Sequence, residues 1–182
     1  LFDADTEFIL ASNTTLSFVN STIETFDNVS IALTGALQSM VVFESVSGDI
    51  FSIDANRLAQ NSGNNRILYG GLNFINSNLN LDQLTVSNSL SEDGVNFIDS
   101  DVNLGTVSFV NIQSDALDAD FSKLVINDIS CKGINNDCLD ISFSDVVVNT
   151  LEAYDVRDKA LSAGEESSIA LKNMLVEDSD MG

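Results

Sequence analysis

The sequence contains no proline, no tryptophan and no histidine, and each absence is informative. Without histidine, the chain cannot use an imidazole as a general base, a general acid or a metal ligand. The lack of proline suits a backbone that is hydrogen-bonded in β-ladders along most of its length, because proline has no N–H to donate. Long apolar runs are also missing, so the sequence predicts no membrane insertion.

Basic residues are scarce as well. Seven lysines and arginines face 28 aspartates and glutamates, which gives a formal net charge of -21 at pH 7. A surface of this charge repels phosphate backbones and anionic membranes, so we expect no nucleic-acid partner. It attracts cations, and it also helps an open-ended β-stack to resist pairing at its edges.

The feature that organises the chain is a repeat of 22 residues. Asp93, Asp115 and Asp137 each open one segment, and Lys159 opens a fourth. Apolar residues recur within each segment at a spacing of two, which is typical of strands and not of helices. Equivalent apolar positions form columns: Val95, Leu117, Leu139 and Leu161; Val102, Leu124 and Val146; Leu104, Ile126 and Val148; Phe109, Cys131 and Ala153. A fixed period of this length indicates stacked units that bury their apolar faces against their neighbours.

These columns predict an all-β solenoid of about eight coils, each with three short strands separated by bends. We expect one domain over residues 1–182, loosely periodic over 1–40 and regular over 41–182. Counting three periods back assigns Val41 and Phe43 to the columns of Val107 and Phe109. Residues 57–66 depart from the apolar pattern and are predicted to form a loop. The chain stops where a further coil is due, so we expect it to be a fragment of a larger protein.

The four motifs Asp-Gly-Val-Asn, Asp-Ala-Leu-Asp, Asp-Cys-Leu-Asp and Lys-Ala-Leu-Ser occupy one position in consecutive coils. With them, the chain resembles a right-handed parallel β-helix of the pectate-lyase-like superfamily. Many proteins of this superfamily act on polysaccharides, some as calcium-assisted lyases with a lysine or arginine base and others as hydrolases with several aspartates. The Gly-His-Gly and Arg-x-Lys signals of the hydrolases are missing here as a set, so that role does not carry over.

The same position of the repeat concentrates carboxylates. An aspartate that opens a strand after a bend is a common turn residue, which is the structural interpretation of Asp93, Asp115 and Asp137. Asp118, Asp120 and Asp140 are predicted to point outward in mid-strand, where aspartate is a poor strand former. Clustered aspartate oxygens suit calcium, so these three residues are the candidate metal ligands. A solvated acidic face is the alternative.

Two function classes follow. If the chain is an enzyme, the resemblance implies a polysaccharide lyase, and the only plausible catalytic cluster is Lys159 or Arg157 with Asp118 and Asp140. If it is not, a rigid β-helix suits a structural or carbohydrate-contacting module. Tyrosines number only two, and most phenylalanines fall in or near inward columns, which favours a spacer or adhesive repeat over an aromatic sugar-binding platform. We expect the second class, secreted or at a cell surface, with a polysaccharide as the candidate partner and with self-association through the solenoid ends as an alternative.

Two further sequence features bear on the compartment. Cys131 and Cys138 are either two buried free thiols or a short-loop disulfide that suits an oxidising compartment. Three N-glycosylation sequons begin at Asn13, Asn20 and Asn28. Such triplets arise readily by chance in a chain rich in asparagine and serine, and they have a meaning only in a eukaryotic secretory pathway. From the sequence alone we do not expect glycosylation.

Overall fold

The computed structural model describes residues 1–26, 28–61 and 68–180. These residues form a parallel β-solenoid of about seven turns and contain no helix, which confirms the predicted fold class. It follows that no helix in the described part of the chain is long and apolar enough to cross a membrane.

The strands form two parallel sheets that run along the solenoid, and each coil contributes one strand to each sheet. The longer sheet contains, in order, β1 (Thr6–Ile9), β3 (Ser30–Thr34), β5 (Ser47–Asn56), β7 (Asn78–Ser87), β9 (Asp101–Ile112), β11 (Lys123–Ile134), β13 (Asp145–Val156) and β15 (Ser168–Glu177). The shorter sheet contains, in order, β2 (Thr15–Val19), β4 (Met40–Glu44), β6 (Gly70–Ile75), β8 (Asp93–Ile98), β10 (Asp115–Asp120), β12 (Leu139–Ser142) and β14 (Ser162–Ala163).

Each coil therefore has two hydrogen-bonded strands where the sequence predicted three. The second and third predicted strands are joined in one long strand such as β9, in which Val102 and Leu104 face inward on one arm and Val107 and Phe109 on the other. The alternation of buried and exposed residues changes phase at Gly105, between the two arms. The sequence periodicity shows the phase change but not that hydrogen bonding continues on both sides of it.

The register confirms the columns of the regular coils and corrects one earlier assignment. Leu117 pairs with Val95 on one side and with Leu139 on the other, as the 22-residue period predicted. Val41, however, pairs with Leu72, which in turn pairs with Val95. Val41 therefore belongs to the column of Val95, and its assignment to the column of Val107 is wrong.

The cause of that error is extra chain between β5 and β6. Val41 and its partner Leu72 are 31 residues apart, whereas Leu117 and Leu139 are 22 apart. The extra residues fall in the predicted loop 57–66, of which residues 62–66 lie outside the described part of the structure. Within its described part, Leu58 and Ala59 are buried.

The interior is a continuous apolar core, to which inward-facing residues of both sheets contribute. Four phenylalanines of consecutive coils stack in its first half, with ring centroids 4.8 to 5.0 Å apart: Phe18, Phe43, Phe74 and Phe97. Parallel strands lie about 4.8 Å apart, so the rings follow the stacking of the backbone. The column continues with Ala119, which pairs with Phe97.

A row of serines marks the corner where the shorter sheet turns into the longer one. Each hydroxyl accepts the backbone N–H of the corresponding residue one coil earlier: Ser77 N–H donates to Ser100 Oγ at 3.1 Å, and Ser100 N–H to Ser122 Oγ at 3.1 Å. Each hydroxyl also donates to a carbonyl oxygen, as Ser100 does to Ile98 at 2.9 Å. Because these groups are buried, this row supplies the hydrogen bonds that the turning backbone requires.

Cys131 and Cys138 are joined by a disulfide, and both residues are buried. Cys131 lies in the inward column of Phe109, and Cys138 directly precedes β12. The bridge therefore connects the end region of the long strand β11 to the start of the shorter sheet within one coil. Of the two alternatives left open by the sequence, the structure shows the bridge.

Candidate functional site

The shorter sheet brings several of the predicted site residues into one row. Asn96, Asp118 and Asp140 are register partners in β8, β10 and β12, and Asp120 lies two residues beyond Asp118. Asp118, Asp120 and Asp140 are partly exposed rather than fully outward. The row thus exists as the repeat predicted, but it lies half-buried in the sheet surface.

Asn96 links two carboxyl groups at one end of this row. Its side chain is buried, and its amide Nδ2 donates to Asp93 Oδ2 at 3.0 Å and to Asp118 Oδ2 at 3.1 Å. Its other amide atom, Oδ1, is buried and has no hydrogen-bond partner among the described residues. The amide therefore holds two carboxyl groups together from within the sheet surface.

Burial shifts the acidity of these carboxyl groups. Desolvation, with repulsion from Asp93, Asp120 and Asp140 added to it, raises the pKa of Asp118 to about 8. Desolvation also raises the pKa of Asp93 to about 7, although the hydrogen bond from Asn96 acts in the opposite direction. Both carboxyl groups thus hold protons at a pH where an ordinary aspartate has lost its proton.

The aspartates that open the coils act differently along their column. Asp115 Oδ1 accepts the backbone N–H of Asp137 at 2.8 Å, and Asp137 Oδ1 accepts that of Lys159 at 2.8 Å. Each of these carboxylates therefore caps the backbone of the next coil, in agreement with the turn-residue interpretation. Asp93 bonds to the Asn96 side chain instead.

The structure gives no support to the predicted calcium site at Asp118, Asp120 and Asp140. Among the described residues, no three histidine, cysteine, aspartate or glutamate side chains are placed so that they could hold one metal ion. In the register of β10 and β12, Asp140 pairs with Asp118, whereas Asp120 pairs with Ser142. Asp118 accepts a hydrogen bond from the Asn96 amide, while desolvation and repulsion from the neighbouring aspartates raise its pKa.

Of the two basic residues proposed as lyase bases, Lys159 is engaged in ion pairs, and Arg157 lines a separate groove. Lys159 Nζ lies 2.7 Å from Asp158 Oδ2 and 3.4 Å from Asp137 Oδ2, and the hydrogen bond with Asp158 raises its pKa. A lysine base needs the opposite shift, because only the neutral amine accepts a proton. Arg157 is exposed. It lines a groove of about 480 Å³ together with Asn111, which lies near the C-terminal end of β9.

The structure also shows an aromatic feature that the sequence analysis missed. Phe121 and Phe143 lie directly after the shorter-sheet strands of two consecutive coils, 61% and 42% exposed. Their rings stack with centroids 4.9 Å apart and an interplanar angle of 8°. We call this pair the Phe121/Phe143 stack. The sequence did contain a signal for this pair. The two phenylalanines are 22 residues apart, and each directly precedes a serine of the row at the buried corner, Ser122 or Ser144.

The backbone at the Phe121/Phe143 stack is unusual for so large a side chain. Both phenylalanines have φ of 52°, in the left-handed region, where a bulky residue is a genuine outlier. The same bend in other coils carries mainly small or polar residues with similar φ: Asn20, Ser45, Asn76, Asp99 and Glu166. Such strain persists only where the surrounding structure imposes it, and it is concentrated at functional sites.

A groove of about 280 Å³ runs beside the stack. Phe121 forms part of its wall, and the rest is polar, with Asn78, Asp99, Asp101 and Lys123 among its lining residues. An aromatic ring beside amide, carboxylate and ammonium groups offers an apolar face next to hydrogen-bond donors and acceptors. The larger groove near Arg157 has no aromatic residue in its lining.

Comparisons with protein-family models, with curated proteins and with solved structures find no match for this chain.

Proposed function

We propose that this chain is a non-catalytic β-helix module of a secreted or cell-surface protein, and that it contacts a neutral polysaccharide through the Phe121/Phe143 stack and the groove beside it. The observation that carries the proposal is the exposed, stacked phenylalanine pair on strained backbone. A structural bend needs no phenylalanine, because asparagine, serine and aspartate fill the same position in other coils.

The chemistry of the groove favours a sugar. The C–H-bearing face of a pyranose ring is apolar and weakly positive, and it packs on the negative face of an aromatic ring. Its hydroxyl groups need donors and acceptors at the rim, which Asn78, Asp99 and Lys123 provide. Binding sites of this kind combine an apolar surface with a few polar groups that fix orientation.

The negative charge of the chain favours neutral glycans over acidic ones as ligands. The chain carries a net charge of -21, and the groove itself contains Asp99 and Asp101. A polyuronate would meet this field with charges of the same sign, which weakens encounter and binding. A neutral hexose polymer meets no such repulsion.

The lyase alternative gains no support from the site geometry. A lyase on acidic sugars needs a base with a lowered pKa and a positive centre to neutralise the sugar carboxylate. Lys159 is held as a cation by Asp158 and Asp137, and Arg157 lines a separate groove. We therefore restrict the proposal to binding.

The test is a binding panel of neutral and acidic polysaccharides, measured by affinity electrophoresis and calorimetry. The variants are Phe121→Asn, Phe143→Asn and the double variant, since asparagine occupies the same bend at positions 20 and 76. Relief of left-handed strain, about 1 to 2 kcal/mol per residue, offsets the lost stacking of about 0.5 to 1.5 kcal/mol. Each single variant should therefore keep its stability within about 1 kcal/mol, and the double variant should lose none.

We expect at least a tenfold loss of affinity for a neutral glycan in the double variant, without a lower thermal transition. Phe26→Asn is the matched control, because Phe26 is 57% exposed but lies in a different coil from the stack. Undiminished binding in the double variant, or no binding of any neutral glycan by the wild-type chain, contradicts the proposal. New reducing ends or unsaturated products would overturn its non-catalytic part.

A further inference from the structure

The first three asparagines of the chain share a property that the other seventeen lack. Asn13, Asn20 and Asn28 each begin an Asn-x-Ser/Thr sequon, and none of the later asparagines does. All three belong to the first coil: Asn13 lies between β1 and β2, Asn20 directly follows β2, and Asn28 lies two residues before β3. Chance occurrence would spread sequons along the chain, whereas these three lie within one coil.

The structure places each of these asparagines at a bend on the surface. All three are exposed, with φ of 60°, 48° and 66°. Asparagine tolerates the left-handed backbone conformation well. A glycan at any of the three positions extends into solvent without entering either sheet.

Their side-chain amides are also free of the asparagine pairing seen elsewhere in the solenoid. Asn76 Nδ2 donates to Ser45 Oγ at 3.1 Å, and Asn111 Nδ2 donates to Asn88 Oδ1 at 3.2 Å. Within the described part of the chain, the amides of Asn13, Asn20 and Asn28 make no such hydrogen bond. A glycan on Asn76 or Asn111 would replace an amide hydrogen next to its partner, whereas one on the first coil costs no interaction.

The disulfide is an independent observation about the compartment. Cys131 and Cys138 are bridged, and disulfides persist in oxidising environments such as the secretory pathway and the cell exterior. In eukaryotes, N-glycosylation takes place in the same compartment. Sequons and a disulfide in one chain therefore point to the same route of export.

We propose that Asn13, Asn20 and Asn28 carry N-linked glycans, which form a collar around the first coil; this rests on the secreted location included in the proposed function. The donor is a lipid-diphosphate-linked oligosaccharide of the host. The asparagine Nδ2 forms a bond to the anomeric carbon of the donor, the carbon–oxygen bond to the diphosphate breaks, and Nδ2 loses one proton. No electron transfer is involved.

The experiment expresses the chain behind a cleavable signal peptide in a eukaryotic secretory host. The secreted protein is treated with peptide N-glycosidase in ¹⁸O-labelled water, which converts each glycosylated asparagine into labelled aspartate. We expect labelled aspartate at positions 13, 20 and 28 and a matching drop in intact mass. Thr15→Ala, Thr22→Ala and Ser30→Ala destroy one sequon each while keeping the asparagine, and each should remove one glycan.

A created sequon serves as the buried control. Ile98→Thr gives Asn96-Phe-Thr, and Asn96 is only 1% exposed, so a glycan there cannot fit the folded solenoid. That variant should be retained in the cell rather than secreted with a glycan at position 96. An unchanged mass after enzyme treatment of the wild-type chain, or an unchanged number of glycans in the Thr15→Ala, Thr22→Ala and Ser30→Ala variants, overturns the proposal.

The failure of this inference is distinguishable from that of the proposed function. Protein produced in bacteria has no N-glycan, and it still supports the binding test on the Phe121/Phe143 stack. Loss of the glycan signal with intact sugar binding removes only the collar. Loss of sugar binding with labelled aspartate at all three positions removes only the binding role.

Discussion

Asp118 gives the chain an unusual dependence of stability on pH. Its folded-state pKa of about 8 lies above 3.8, the ordinary pKa of an aspartate in an unfolded chain, chiefly because burial disfavours the charged form. Between these two values the folded protein binds a proton that the unfolded chain has released. The free energy of unfolding therefore falls as pH rises from about 4 to about 8, the reverse of the behaviour of a salt-bridged aspartate.

The magnitude follows from the size of the shift. One pKa unit corresponds to about 1.4 kcal/mol, and pH 7 lies about three units above the unfolded-chain value, so the stability lost at pH 7 is roughly 4 kcal/mol. Asp118→Asn keeps the shape of the side chain and an acceptor for the Asn96 amide, but it has no proton to lose. In a domain of this length, about 1 kcal/mol shifts Tm by roughly 2 to 4 °C, so we expect the variant to melt roughly 8 to 16 °C higher at pH 7.

The assay is thermal and urea unfolding of the wild type and Asp118→Asn at half-unit steps from pH 4 to pH 9. Near pH 4 the two proteins should have equal stability, and their difference should grow with pH. Asp145→Asn is the matched control, because it removes one formal charge at an exposed position of β13. Equal pH dependence in wild type and Asp118→Asn, or the same gain from Asp145→Asn, refutes the assignment of this effect to the buried carboxyl group.

Three further predictions concern the scaffold. Ser100→Ala leaves the buried N–H of Ser77 without its acceptor and should lower the free energy of unfolding by about 1 to 3 kcal/mol; a urea titration showing no loss contradicts the role of the serine row. Replacing Cys131 and Cys138 with alanine opens a loop closed over a separation of seven residues, for which we expect a loss of about 2.4 kcal/mol and a mass unchanged by reductant; an unchanged Tm argues against a contribution of the bridge. Phe74→Ala removes a ring that is stacked on both faces and should cost about 3 to 5 kcal/mol in the same titration; a cost below about 1 kcal/mol contradicts its place in the core.

The 22-residue period was sufficient to predict the architecture. Apolar residues that recur at fixed spacing must face a common interior, and Val95, Leu117 and Leu139 are indeed partners in adjacent strands. The register of Val41 was wrong because a period counted across residues 57–66 cannot reveal extra chain there. Pairing between strands is a non-local property. The number of residues in each coil is known only once the hydrogen-bonded partners in both sheets are known.

The candidate site was harder to predict because it depends on side-chain direction at the bends. Phe121 looks inward-facing when judged by residue type alone, yet its backbone N–H donates to the carbonyl of Ser142 at 3.1 Å and fixes a bend that turns the ring outward. Here the backbone hydrogen bonds between coils outweigh the tendency of a phenylalanine side chain to be buried. Asp118 was found from the repeat, but its shifted pKa depends on burial and on Asn96, which sequence spacing does not report.

The longer coil between Val41 and Leu72 has a consequence for how this protein can change. Both sheets resume the same pairing after it, since Val41 and Leu72 remain partners in one sheet and Ile53 and Leu84 in the other. The corner after a long strand therefore admits additional chain at little thermodynamic cost, because loop-closure entropy grows only slowly with length. This corner of the solenoid is therefore a position where a recognition segment can be inserted while both sheets keep their strand pairing on either side of it.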